Sequence, residues 1–217
     1  GAASGLGKAT ALALGRAGAD VCVVDVNAEG LQDTAQSLRD MGRRVIVHAT
    51  DLSEPRNCAA AVKAAVEAFG GLNALCNVAG LIYFANTHEM PAEKWHRTIA
   101  VNLSAPFFLS QAAIPHLLER NGAIVNVTSS AAFIGEAYAA AYCASKAGLA
   151  HMTKALAMEY THKPIRINAV APGGMITGIA NNLQMPEGVD YTLIKRFSGL
   201  RGVVEVDDVA AMIAFLA

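Results

Sequence analysis

Two tyrosines stand four residues ahead of a lysine: Tyr142 and Lys146 in YCASK, and Tyr191 and Lys195 in YTLIK. On a helix this offset stacks the two side chains on one face. A free tyrosine has a pKa of about 10. A neighbouring ammonium, together with an oxidised nicotinamide, favours the phenolate. A phenolate can take the proton of an alcohol while hydride leaves its carbon. In reverse, the phenol protonates a carbonyl oxygen. Two of the five tyrosines have this offset, so spacing alone does not choose between the pairs.

The surroundings choose. YCASK opens a helical pattern that follows the apolar run AIVNVTS, which ends on Ser129. A parallel α/β sheet collects its ligands at the carboxyl ends of strands. Ser129 stands at such an end, where its hydroxyl can hold a reacting oxygen in place. Lys146 can also hold a ribose hydroxyl. Tyr191 falls in a long stretch, 173–202, with no strand pattern directly before it. It reads as an exposed amphipathic turn with a routine lysine. Taken singly, Ser129 reads as a turn residue, Tyr142 as packing and Lys146 as a solvated charge. Together, downstream of a nucleotide-type turn, they read as catalytic.

Five short apolar runs must position these groups, at 21–26, 45–49, 72–78, 123–129 and 165–171. Each is nearly continuous in apolar character, as strands covered on both faces are. Helical patterns lie between them at 6–17, 29–41, 54–69, 92–119 and 140–160, and another starts near Val206. Gly18 can end the first in a left-handed conformation. Ser53 can cap the third, with Pro55 in its first turn. Pro106 and Pro115 kink or divide the fourth. The alternation predicts α/β architecture in one domain, 1–217: a doubly wound parallel sheet of the Rossmann type, joined by right-handed crossovers. The stretch 173–202 departs from the alternation and is expected to be lid-like.

The chain opens on a glycine-rich turn, with Gly1, Gly5 and Gly7 running into the first helix. Such a turn brings backbone N–H groups and the helix dipole to a pyrophosphate, or it is an ordinary tight turn. Asp25 ends the next strand, where the dinucleotide fingerprint has its acidic residue. A carboxylate there accepts from both ribose hydroxyls and repels a 2′-phosphate, which favours NAD over NADP. Asp51 either meets an adenine amino group or helps to cap the following helix. Asn77 ends the fourth run, and Ala79 and Gly80 leave room for a cofactor beside the backbone. An Asx-turn also suits Asn77.

These motifs resemble the short-chain dehydrogenase/reductase family over nearly the whole length. The likeness rests on Gly1-x-x-x-Gly5-x-Gly7, Asp51, NVAG at 77–80, Asn102 in VNL, Ser129, YCASK and PGGMIT at 172–177. It implies cofactor contacts from Gly1, Ser4, Gly5, Leu6, Gly7, Asp25, Asp51, Leu52, Asn77, Ala79, Gly80, Tyr142, Lys146, Pro172, Gly173, Ile176 and Thr177. In the family the residues matching Ile176 and Thr177 touch the nicotinamide carboxamide. The asparagine matching Asn102 holds a water that links the catalytic lysine to solvent, so the implied catalytic set is Asn102, Ser129, Tyr142 and Lys146. Hydride moves from one defined face of the ring in this family. Val78 departs from the family's usual second asparagine, a mainly structural position. The family also has a strand and a threonine before the glycine turn, and a further strand after the last helix. The expectation is that the natural product extends beyond both ends and that these 217 residues alone fold poorly. A central strand would be lacking between 21–26 and 72–78, leaving buried backbone groups at about 1–3 kcal/mol for each unsatisfied one.

Composition narrows the partners. Of 217 residues, 53% are apolar and 16% charged, which suits a globular protein with a full core. With 17 basic and 18 acidic residues and no basic run, there is no electrostatic case for nucleic acid or an anionic membrane. Four scattered cysteines suggest buried thiols in a reducing compartment, hence the cytoplasm. The six histidines show no metal-ligand spacing, so no metal is expected. Ala131, Phe133, Tyr138, Met175, Ile176 and Phe197 are candidate substrate walls, or in part ordinary core. Their apolar character points to a neutral secondary alcohol or its ketone, including cyclic ones. Family members commonly pair the helices matching 92–119 and 140–160, so a homo-oligomeric dimer or tetramer is expected. The leading expectation is thus NAD-dependent alcohol oxidoreduction. The alternatives are an NADPH-dependent 3-oxoacyl-type reductase and a silent dinucleotide sensor.

Overall fold

The structure, a computed structural model, describes residues 1–176, 184–199 and 202–217. The chain runs α1 (Gly5–Arg16), β1 (Val21–Asp25), α2 (Ala28–Asp40), β2 (Val45–Ala49), α3 (Pro55–Phe69), β3 (Ala74–Asn77), α4 (Ala92–Ile99), α5 (Ala105–Leu118), β4 (Ala123–Val127), α6 (Ala140–Glu159), β5 (Arg166–Val170), α7 (Tyr191–Lys195) and α8 (Val206–Leu216). All strand pairs are parallel. Every residue of β4 is buried, as befits a strand with a neighbour on each edge and helices on both faces. Its side chains alternate between layers. Ile124 joins Val62 of α3 and Leu109 and Leu117 of α5. Val125 and Val127 join Leu6 of α1 and Ile213 of α8. Leu31, Ala35 and Leu38 of α2 pack with Ala11 of α1 on Val23.

The sheet is in two pieces, β1-β2 and β3-β4-β5. Between β1 and β3 lies a slot of about 650 Å³, walled by Val21–Val24 on one side and Leu75–Asn77 on the other. This is where the family resemblance puts a central strand. Thr10 Oγ1 and Asn77 Oδ1 are buried without a partner, and both residues line the slot. Buried polar atoms are seldom left unpaired, so these two mark the slot as a place fitted for polar backbone.

Local chemistry explains the boundaries. Gly18, at φ +98, follows α1 in the conformation expected of it. Ser53 does not cap α3; Glu54 holds that position, and the Ser53 hydroxyl accepts from Arg97 instead. The expected 92–119 helix is divided by a π turn, Ala100–Ser104. Pro106 has no N–H for the carbonyl of Asn102, four residues back, so the α-helical ladder cannot continue there. Tyr191 is 64% exposed on the one-turn helix α7, which agrees with reading YTLIK as surface.

Candidate active site

The glycine turn is tight because the backbone crosses itself. A Cβ on Gly7 would overlap the carbonyl of Gly1, and one on Gly1 would meet Ala79 Cα at 2.8 Å. Gly5 begins α1 at φ +50. The first-turn N–H groups of Gly5, Leu6 and Gly7 have no helical acceptor. The Ser4 hydroxyl makes no capping bond. Leu6 buries its side chain in the core, so its contribution to a ligand is through its backbone. Under the turn, Asp25 Oδ2 accepts from Ala3 N–H at 3.1 Å and Oδ1 from Asn27 N–H at 3.0 Å. Oδ2 also lies 3.4 Å from the terminal ammonium of Gly1, so Oδ1 is the oxygen that keeps a free lone pair.

Asp51 has partners the sequence did not suggest. Arg97, on α4, donates from Nη1 to Asp51 Oδ2 at 2.6 Å and to Ser53 Oγ at 2.6 Å. Asp51 Oδ1 accepts from Ser53 N–H at 2.9 Å. The hydrogen bond from Arg97 is the main reason that the Asp51 carboxyl lies below the usual carboxylate range. Asn77 turns its side chain into the core: Nδ2 donates to Asn126 Oδ1 at 2.8 Å, and Asn126 donates on to Thr153 at 2.9 Å. Its Oδ1 is the atom left without a partner.

At the other end, β4 and α6 bring Ser129, Tyr142 and Lys146 together. Lys146 is 3% exposed, and its Nζ donates to the carbonyl of Val127, the last residue of β4, at 2.8 Å. The same Nζ lies 5.8 Å from the centre of the Tyr142 ring. The Ser129 hydroxyl stands near enough to the Tyr142 phenol to pull its pKa down, and it accepts from Ala131 N–H at 3.2 Å. Asn102, fully buried in the π turn, clamps residue 81. Its Nδ2 donates to the Leu81 carbonyl at 2.8 Å and its Oδ1 accepts from Leu81 N–H at 2.9 Å. Nδ2 also reaches Ser145 Oγ at 3.1 Å. A Cβ on Gly80 would lie 3.4 Å from both Asn102 Oδ1 and Lys146 Nζ. Gly80 therefore leaves the space through which the two groups face each other.

Burial shapes the electrostatics of the chain without its dinucleotide. Burial pushes the Tyr142 phenol up, against the hydrogen bond from Ser129, and the charges of Glu136 and Cys143 add to the rise. Burial also pushes Lys146 down, to about 8. In the chain alone, desolvation sets the direction of the Tyr142 shift.

The proposed walls separate. Ala131 is buried, and Met175 is half-buried against the core of Leu6 and Val125. Phe133 is 67% exposed, and Ile176 stands equally open. Phe197 is half-buried in the turn after α7. Pro172 sends its carbonyl to Ser130 N–H at 2.9 Å, tying the 172–176 strip to the serine loop. Gly173 is exposed beside it, Leu52 packs on the core around Cys58 and Leu109, and Thr177 lies outside the described residues. Arg97 and Glu136 were missed. Neither sits in a motif, and only the folded backbone brings them to the site. No helix among the described residues is long and apolar enough to cross a membrane.

A glycine turn with a strand-end carboxylate, and a Ser–Tyr–Lys set at the carboxyl end of β4, define a dinucleotide-dependent α/β oxidoreductase. The sequence model of the short chain dehydrogenase family matches residues 1–188. The chain is 38% identical over 218 residues to the cyclohexanol dehydrogenase of Acinetobacter sp. (strain SE19), covering 100% of this chain and 84% of that protein. It is 38% identical over 219 residues to the cis-4-hydroxycyclohexanecarboxylate dehydrogenase of Sinomonas cyclohexanicum, covering 100% of this chain and 86% of the relative. A short chain dehydrogenase from Burkholderia cenocepacia, solved in complex with NADP, superposes with a TM-score of 0.88 at 32% identity, over 99% of this chain and 86% of that one. The chain belongs to the short-chain dehydrogenase family.

Proposed function

We propose that the protein oxidises a neutral, cyclic secondary alcohol to its ketone, and runs the reverse reduction, with NAD as hydride carrier and Tyr142 as general acid and base. The observation that carries this reading is the meeting of Ser129, Tyr142 and Lys146 at the end of β4. The residues present fit a dinucleotide, because the Gly1–Gly7 crossing leaves no room for side chains and Asp25 keeps acceptor capacity beside it. Gly1, Ser4, Gly5, Leu6 and Gly7 would hold the pyrophosphate, Asp25 the adenosine ribose, and Asp51 and Leu52 the adenine. Ala79, Gly80, Pro172, Gly173, Ile176, Tyr142 and Lys146 would hold the nicotinamide half. When bound, the cofactor accepts or donates the hydride. Tyr142 takes the hydroxyl proton of the alcohol. Ser129 hydrogen-bonds the substrate oxygen and keeps it beside the phenol. Lys146 supplies the positive charge that offsets the phenolate. Asn102 holds the backbone at residue 81 against this group, and the family resemblance gives it a water leading from Lys146 to solvent.

The two relatives named for cyclohexane alcohols support a cyclic substrate. The Asp25 charge supports NAD, since it would lie against a 2′-phosphate. The NADP bound by the Burkholderia relative is the observation behind a second reading, with NADP as the carrier. Titration with both cofactors distinguishes them. The decisive test is Tyr142→Phe, with NADH absorbance followed on cyclohexanol and related alcohols. Turnover falls by about a hundredfold or more, while NAD Kd stays within about twofold. Undiminished turnover in the variant refutes the assignment, and a wild-type protein that binds NAD without turnover supports a sensor instead.

A further inference from the structure

Tyr138 has a backbone that its side chain makes unfavourable. Its φ is +66, in the left-handed region that suits glycine and crowds the Cβ of any larger residue. Such outliers persist where surrounding contacts hold them, and they cluster at functional sites. Here three contacts meet. The Tyr138 carbonyl, turned by that φ, accepts from Ala85 N–H at 2.9 Å. Its phenol oxygen accepts from Asp190 N–H at 3.0 Å. Four residues later along the chain stands Tyr142, the proton carrier of the proposed reaction.

The same segments are joined a second time beside it. Asn86 Nδ2 donates to the Glu187 carbonyl at 3.4 Å and to Glu89 Oε2 at 2.8 Å. Asp190 is itself ordered, because its carboxylate accepts from Thr192 N–H at 2.8 Å and starts α7. Tyr138 therefore links three stretches: the strip that follows Gly80, the loop that leads from Ser129 to α6, and residues 187–195. The first two carry groups that flank the reacting centre. Among the described residues the third has few other attachments, and Tyr191 is largely exposed.

We propose that Tyr138 is a positioning residue whose phenol ties residues 187–195 to the catalytic loop and so sets the substrate side of the cleft. The inference rests on the alcohol-oxidation reading for its kinetic consequence, though not for the tie itself. The glycine turn and Asp25 belong to other elements, so dinucleotide affinity does not depend on Tyr138. Left-handed strain at a tyrosine is retained because glycine, which would relieve it, has no phenol to reach Asp190.

Two variants test this. Tyr138→Phe keeps the ring and removes only the hydroxyl. It raises KM for the alcohol by about five- to tenfold, the worth of one hydrogen bond, with NAD Kd and kcat within about twofold. Tyr138→Gly relieves the backbone. It raises KM at least as much as the Phe variant. Amide hydrogen exchange is read in parallel on peptides containing Asp190, and both variants lose protection there. Unchanged exchange at Asp190 in Tyr138→Phe overturns the tie. Faster exchange with unchanged KM overturns the substrate role. An inert Tyr142→Phe control with active Tyr138 variants of wild-type KM isolates this failure from a failure of the reaction assignment.

Discussion

Replacing Lys146 with methionine is expected to stabilise the fold while it abolishes the chemistry. The ammonium is buried, and burial lowers its pKa from the ordinary 10.5 to about 8. At about 1.4 kcal/mol per pH unit, holding that charge in the interior costs about 3 kcal/mol at pH 7. Methionine fills a similar volume without the charge. The variant forfeits the bond from Nζ to the Val127 carbonyl, worth about 1 kcal/mol. The net gain is about 2 kcal/mol, or about 4–8 °C in Tm for a chain of this length.

The pH dependence gives the sign its own check. Between pH 8 and 10.5 the unfolded chain carries a proton on Lys146 that the folded one lacks. Wild-type stability therefore rises with pH through that window relative to the variant. Below pH 8 both states are protonated and the full penalty stands. Thermal melts of both proteins from pH 7 to 10.5 should show a gap that is widest at pH 7 and closes towards pH 10.5. Groups that titrate alike in both proteins cancel. Tyr142 titrates nearby and is handled by repeating the comparison on a Tyr142→Phe background. A variant less stable than wild type at pH 7, or a gap that does not change with pH, refutes the reasoning.

Ser129→Ala removes both the anchor for the substrate oxygen and the hydrogen bond that holds the Tyr142 phenol down. Alcohol oxidation slows by about 10²–10³-fold, and the acid limb of its pH profile moves to higher pH; a limb that stays in place argues against the Ser129–Tyr142 contact. Arg97→Gln releases the Asp51 carboxylate, so AMP and NAD bind several-fold more weakly while nicotinamide mononucleotide binds as before, which calorimetry on the three ligands resolves; equal losses on all three point to general unfolding. The facing edges of β1 and β3 share no ladder across their 650 Å³ slot. These 217 residues alone should then unfold over a broad range, and a synthetic apolar strand of about six residues should sharpen the transition. A sharp melt with nothing added would defeat that expectation.

The framework was legible because local signals agreed with one another. VCVVD and AIVNV are nearly continuous in apolar character, as a strand with both faces covered is. Gly18, Pro55 and Pro106 mark boundaries through backbone geometry that does not depend on distant contacts. The choice of Tyr142 over Tyr191 followed from the strand before it, and burial of Lys146 against exposure of Tyr191 agrees with that choice. Asn77 ends β3 as expected, and Asp51 follows β2 by two residues, yet their partners were not foreseen. Arg97 lies 46 residues from Asp51, and Asn126 lies 49 from Asn77, so neither pairing leaves a mark on local pattern.

What the sequence could not show has a common cause. Ala131 and Met175 have side chains suited equally to a pocket wall or a core, and only the packing of the layers decides between them. The pKa of Tyr142 depends on how much water the folded chain removes, which no spacing encodes. The site also breaks the rules by which a sequence is read. It buries a lysine, interrupts a helix with a π turn at Asn102, and holds Tyr138 at a φ that favours glycine. Each breach lowers the stability of the isolated fold, and each sits within reach of Tyr142 or of the strip after Gly80. Departures that scattered at random would argue against a common role. Their convergence on one cleft is the pattern expected where local stability has been given up for the placement of reacting groups.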